Sequence, residues 1–95
     1  MATENGAEAL HSPQLLEELA SIEHERWAHW QLYLHKQCES MPDGSLSIPA
    51  HLARRWTKQA ETPYRDMTEN EKNSDREQVQ RYLPTIARAL RDSPP

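Results

Sequence analysis

The chain offers few sets of side chains that could make or break bonds, and each fails on spacing. His24-Glu25-Arg26-Trp27-Ala28-His29 places two histidines beside a carboxylate. A zinc-hydrolase helix needs its histidines four apart on one face. These are five apart, about 140° around a helix. The single cysteine, Cys38, falls at the C-terminal end of a predicted helix, next to the negative pole of the helix dipole. That is a poor setting for a thiolate nucleophile. The two glycines, Gly6 and Gly44, stand alone, so no glycine-rich loop cradles a phosphate. Glu23 and Glu25 are ordinary company in a charged helix. No catalytic residue, metal site or cofactor is therefore expected, and an enzyme is the least favoured class.

The side chains suited to binding are more promising. Trp27, Trp30, Trp56 and Tyr64 can stack on a flat ligand, and Arg26, Arg55, Lys72 and Arg76 can neutralise an anion.

These residues must be positioned by helices. Ser12-Pro13 is a helix start, with serine as cap and proline at the first helical position. Helix periodicity then runs over 13–38 with an apolar stripe of Leu15, Leu16, Leu19, Ile22, Trp27, Trp30, Tyr33 and Leu34. Glu23 and Arg26 interrupt that stripe three apart, a spacing that lets them pair. Residues 39–47 read as a turn-rich linker built on Pro42-Asp43-Gly44. A second helix is expected over 49–60, with Leu52, Ala53 and Trp56 buried and Arg54, Arg55 and Lys58 on a basic side. Pro63 disfavours helix at Thr62, so the Pro-Tyr segment should be extended. Thr68-Glu69-Asn70-Glu71 matches a capping box. It opens a third helix over 69–91, with a core stripe of Val79, Tyr82, Leu83, Ile86 and Leu90 and a kink near Pro84. Lys72, Asp75 and Arg76 extend the line of Val79 toward the start of that helix.

Two segments fall outside this pattern: residues 1–12 read as a flexible arm and 92–95 as a disordered tail. The expected fold is all-α, a compact bundle of about three helices forming one domain over 13–91.

Composition agrees with a small binding module. The chain has 95 residues, 36% hydrophobic, with no Phe, three Trp and three Tyr. So lean a core favours a homo-oligomer, which buries what one copy cannot. A lone cysteine cannot form an internal disulfide, and no apolar run is long enough for a bilayer; a cytoplasmic protein is expected. The formal charge of −4 argues against general nucleic-acid binding. Residues 1–47 carry two basic and eight acidic side chains, residues 48–95 nine basic and seven acidic. The second half can thus present a local basic surface.

Three stretches, in order, resemble the ryanodine receptor repeat domain family. Leu19-Ala20-Ser21-Ile22-Glu23-His24-Glu25-Arg26-Trp27 is similar to that family's opening helix. Thr62-Pro63-Tyr64-Arg65-Asp66-Met67 is similar to its Pro-Tyr-acid-Leu turn, and Thr68 to Arg76 to the Pro-Glu-x-Glu-Lys-x-x-Asp-Arg helix start that follows. The family usually has an apolar residue where Glu23 stands, and its Gly-Trp-x-Tyr-Gly segment is replaced here by 42–60. The resemblance implies a helical module, free-standing in bacteria and their phages. It implies a nucleotide-derived ligand: a nucleotide, a cyclic oligonucleotide or an ADP-ribose derivative. A short free-standing copy resembles a phage-type anti-defence sponge that sequesters such a signal in the infected cell.

The expected ligand-binding set is therefore His24, Arg26, Trp27, Trp56, Tyr64, Lys72 and Arg76. Trp27 and Tyr64 would stack, with Trp56 as a further platform. Arg26, Lys72 and Arg76 would hold phosphate, and His24 would donate to phosphate or ribose. The rival reading is a protein-interaction adaptor whose tryptophan faces dock a partner.

Overall fold

A computed structural model describes residues 2–92, with side chains from residue 6 onward. The described residues form four α-helices, α1 (Ala2–Leu10), α2 (Pro13–Gln37), α3 (Ala50–Glu61) and α4 (Glu69–Arg91). A two-stranded ladder, β1 (Glu39–Ser40) and β2 (Leu46–Ser47), and a 3-10 turn at Tyr64–Asp66 complete them. The three long helices match the expected ones to within a residue or two at each end. Two features go beyond expectation: the segment read as an arm is helical over Ala2–Leu10, and the linker pairs as a minimal antiparallel ladder. Of the expected tail, all but Asp92 lies outside the described residues. The chain divides into two compact units, Met1–Arg26 with Ser74–Pro95, and Trp27–Asn73.

The first unit holds α1, the start of α2 and most of α4. Local chemistry sets the α2 boundary. The Ser12 hydroxyl accepts from the Leu15 amide at 3.2 Å, satisfying a donor that has no partner within the helix. Leu15 is the best-buried side chain, 3% exposed. Leu19 and Ile22 of α2 and Tyr82, Thr85, Ile86 and Ala89 of α4 are half-buried. Charge pairs join the two helices: Arg88 to Glu18 at 3.0 Å and Arg81 to Glu25 at 2.8 Å. The Tyr82 hydroxyl donates to Glu23.

The expected α4 core stripe is corrected here. Tyr82 and Ile86 turn inward, but Val79, Leu83 and Leu90 are 54%, 52% and 41% exposed. The inward residues 78, 82, 85 and 89 recur at helical spacing, about 110° around the helix from Val79, Leu83 and Leu90. The sequence stripe therefore merged two faces. On α2, Leu16, Trp27, Trp30 and Tyr33 of the expected stripe are likewise exposed. The helix continues through Pro84.

The second unit holds the end of α2, the ladder, α3, the 3-10 turn and the start of α4. Here α2 buries Ala28, Gln31 and Leu34 in part, and Cys38 just past its end is half-buried too. Trp30 stacks on Tyr33 with ring centroids 5.6 Å apart and receives Trp56 edge-on at 5.5 Å and 72°. Leu52 of α3 is buried. The strands are joined by a tight turn in which Gly44 takes φ +88°, where only glycine sits without steric cost. Asp43 holds that turn by accepting from the Ser45 amide at 2.9 Å and the Ser45 hydroxyl at 2.6 Å. No helix among the described residues is long and apolar enough to cross a membrane.

Candidate ligand-binding site

An aromatic ring, a cation and a cleft come together where α3 ends and α4 begins. Thr62 closes α3: its hydroxyl donates to the Lys58 carbonyl at 2.6 Å and its backbone turns extended, as the following proline requires. Pro63 then leads into the 3-10 turn, closed by Asp66 and Met67 amides donating to Pro63 and Tyr64 carbonyls. The expected Pro-Tyr turn is thus extended at Thr62 and Pro63 and wound from Tyr64 on.

The capping box forms as its four residues dictate. The Thr68 hydroxyl accepts from the Glu71 amide at 3.2 Å, and Glu71 reaches back to the Thr68 amide at 3.1 Å and its hydroxyl at 2.8 Å. These bonds to Thr68, with smaller help from the charges of Arg55 and Lys58, hold the Glu71 carboxyl below its ordinary range. The box fixes the first turn of α4, and so the position of Lys72 one turn in. The Lys72 ammonium stands 5.6 Å from the centroid of the Tyr64 ring. It also lies 3.8 Å from Glu69. Its side chain is 17% exposed, whereas the tyrosine is 48% exposed. The result is a half-exposed ring with a half-buried cation over it.

A cleft of about 590 Å³ opens in the same unit. Arg55, Lys58, Gln59 and Thr62 line it from α3, at a spacing that puts all four on one helical face. Thr68, Asn70 and Glu71 line it from the start of α4, and Asp66 from the turn. The sequence marks Arg55 as an anion-neutralising residue outside the expected site, and Lys58 as part of a basic side. The polar lining was missed. Its signal was present in the 55, 58, 59, 62 spacing, which reads as an ordinary solvated face until another element covers it.

The seven residues expected to bind ligand are distributed as follows. Tyr64 and Lys72 come together. Trp56 is half-buried and packs T-shaped against Trp30. Trp27 is exposed on α2. These four belong to the second unit, and His24, Arg26 and Arg76 to the first. His24 and Arg76 are exposed. Arg26 donates through Nε to Glu23 at 3.2 Å and again through its terminal nitrogen, the expected pair at i, i+3. Glu23 accepts from Arg26 and from Tyr82, and these bonds lower its carboxyl from the ordinary value. The Glu23–Arg26 pair is thus tied into the α2–α4 packing of the first unit. Among the described residues no group of His, Cys, Asp and Glu is placed to hold a metal ion.

No family model matches the chain, and no curated protein or solved structure matches it either.

Proposed function

We propose that this chain is a non-enzymatic binding module for a small anionic, aromatic molecule of the nucleotide class, which it holds or sequesters without turning it over. The observation that carries the reading is the half-exposed Tyr64 ring with the Lys72 ammonium at 5.6 Å. A base stacked on that ring gains apolar contact, and the cation beside it attracts a phosphate. The resemblance to the ryanodine receptor repeat family supports the ligand class through the same Pro-Tyr turn and helix start. In this reading the protein acts in the cytoplasm of a bacterial or phage-infected cell, as an anti-defence sponge. Self-association accompanies binding, because the exposed Val79, Leu83 and Leu90 leave apolar surface that a second copy can cover.

The test is a thermal-shift panel of nucleotides, cyclic oligonucleotides and ADP-ribose derivatives, with native mass spectrometry of the same sample. A ligand at a hundredfold over its Kd stabilises by about 2.7 kcal/mol, which is on the order of 10 to 20 °C for a domain of this size. A shift with the ligand recovered intact supports the reading, and a shift with the ligand converted refutes its non-enzymatic half. A flat response from folded protein overturns it.

One observation favours a second reading. Val79, Leu83 and Leu90 follow spacings of four and seven along α4, a seam suited to another helix. In that reading the chain is a protein-interaction adaptor. Recovery of a stoichiometric protein partner, lost on Leu83→Glu, with a flat small-molecule panel would establish it.

A further inference from the structure

We propose that the cleft between α3 and the start of α4 is an anion site for phosphate groups, with Arg55 and Lys58 as its cationic ligands. The inference rests on the nucleotide reading and narrows it to a nucleoside carrying a terminal di- or polyphosphate.

Charge pairing inside the second unit carries the argument. The cleft lining includes two cations and two carboxylates. Both carboxylates are engaged. Glu71 is bound to the amide and hydroxyl of Thr68, and Asp66 stands 4.0 Å from Arg65. The cations act on Glu71 only through their charges. Among the described residues, neither the Arg55 nor the Lys58 side chain makes a hydrogen bond or an ion pair, although the two stand three apart on one face of α3. Two cations one helical turn apart, neither in direct contact with a carboxylate, suit the span of a phosphate or diphosphate, and the guanidinium fork matches phosphate oxygens in pairs.

The other groups fit the same ligand. Gln59, Thr62 and Asn70 supply neutral donors and acceptors in the lining. The first turn of the 23-residue α4 adds the positive end of its dipole. A volume of about 590 Å³ lies within the usual range for small-molecule sites. Tyr64 falls in the chain between Thr62 and Asp66, two lining residues, so the turn that forms the cleft also carries the stacking ring. An uncharged nucleoside would leave both cations unused.

The experiment is isothermal titration of the full chain with inorganic pyrophosphate, ADP and adenosine at low salt. The variants are Arg55→Gln/Lys58→Gln, Tyr64→Ala and, as a charge control outside the cleft, Arg54→Gln. Circular dichroism checks that each folds, and Lys58→Gln alone serves if the double variant does not. Pyrophosphate and ADP are expected to bind, with ADP at least tenfold tighter than adenosine. The double variant should weaken both phosphate ligands by tenfold or more and leave adenosine within twofold. Arg54→Gln should stay within twofold throughout. Phosphate binding unchanged in the double variant, or weakened equally by Arg54→Gln, overturns the site. Pyrophosphate binding that needs Arg55 and Lys58, with no gain from the nucleoside, keeps the anion site and refutes the nucleotide reading. Nucleotide binding that needs Tyr64 but ignores the double variant does the reverse. If none of the three binds, both fall.

Discussion

Replacing Thr68 with alanine tests whether the α3–α4 junction is held by its capping box. The substitution removes the hydroxyl that accepts from the Glu71 amide at 3.2 Å and donates to the Glu71 carboxylate at 2.8 Å. Loss of such a cap costs about 1 kcal/mol, and in a domain this small that lowers Tm by about 4–8 °C. A second consequence follows from protonation. The folded Glu71 carboxyl lies below its ordinary value, chiefly through Thr68, so its contribution to stability is present above the unfolded value. It is lost as pH falls from about 4.3 through the depressed folded value. In Thr68→Ala that depression shrinks, so the variant should lose less stability than wild type between neutral pH and the acid range. Urea melts at pH 7 and at several acid pH values measure both effects. Because Lys72 sits one turn into the helix that the box starts, ADP affinity should fall with the cap. A Thr68→Ala protein with an unchanged Tm, or with the wild-type acid profile, would refute the claim that the box anchors this junction.

Other perturbations separate the two faces of the helices and the local devices. Leu15→Ala empties the best-buried position and should cost about 2–5 kcal/mol in urea melts. Leu83→Ala, at a half-exposed position, should cost less than about 0.5 kcal/mol at a concentration where the chain is monomeric. Gly44→Ala should destabilise the ladder turn by about 1–2 kcal/mol. The cost there is conformational, since a methyl group would meet no atom within 4 Å. Tyr82→Phe removes one of two donors to Glu23, so an NMR titration should find the Glu23 carboxyl raised toward its ordinary value. It should remain below that value, because Arg26 makes the largest contribution. A Glu23 titration unchanged by Tyr82→Phe would show that the hydroxyl does not engage it in solution.

Local interactions were legible in the chain because their partners are three or four residues apart. Ser12 before Pro13, Thr68 with Glu71, Glu23 with Arg26, and Gly44 in its turn each satisfy backbone or charge within a single helical turn. Helix positions followed from these signals and from periodicity, and the mostly helical class followed from the helices. Periodicity could not choose between neighbouring faces. Val79 and Leu83 lie within about 100° of Tyr82, so one apolar stripe on α4 covers both the side that packs and the side that stays exposed. On α2 the half-buried residues include Leu19 and Ile22 in the first unit but Ala28, Gln31 and Leu34 in the second, a change of face that no repeat along one helix announces.

The candidate site divides in the same way. Tyr64 and Lys72 were legible as a stacking ring and a cation, because the Pro-Tyr turn and the capping box place both within nine residues of chain. That Trp56 packs T-shaped on Trp30 was decided only when α3 packed against α2. Arg55 and Lys58 looked like solvated surface in the sequence. They became a candidate anion site only because the chain reverses at Thr62–Met67 and brings the start of α4 to the α3 face that carries them. Composition and spacing determined which chemistry this protein carries. The packing of helices decided which of those groups lack a direct partner, because burial and charge neutralisation depend on partners distant in sequence.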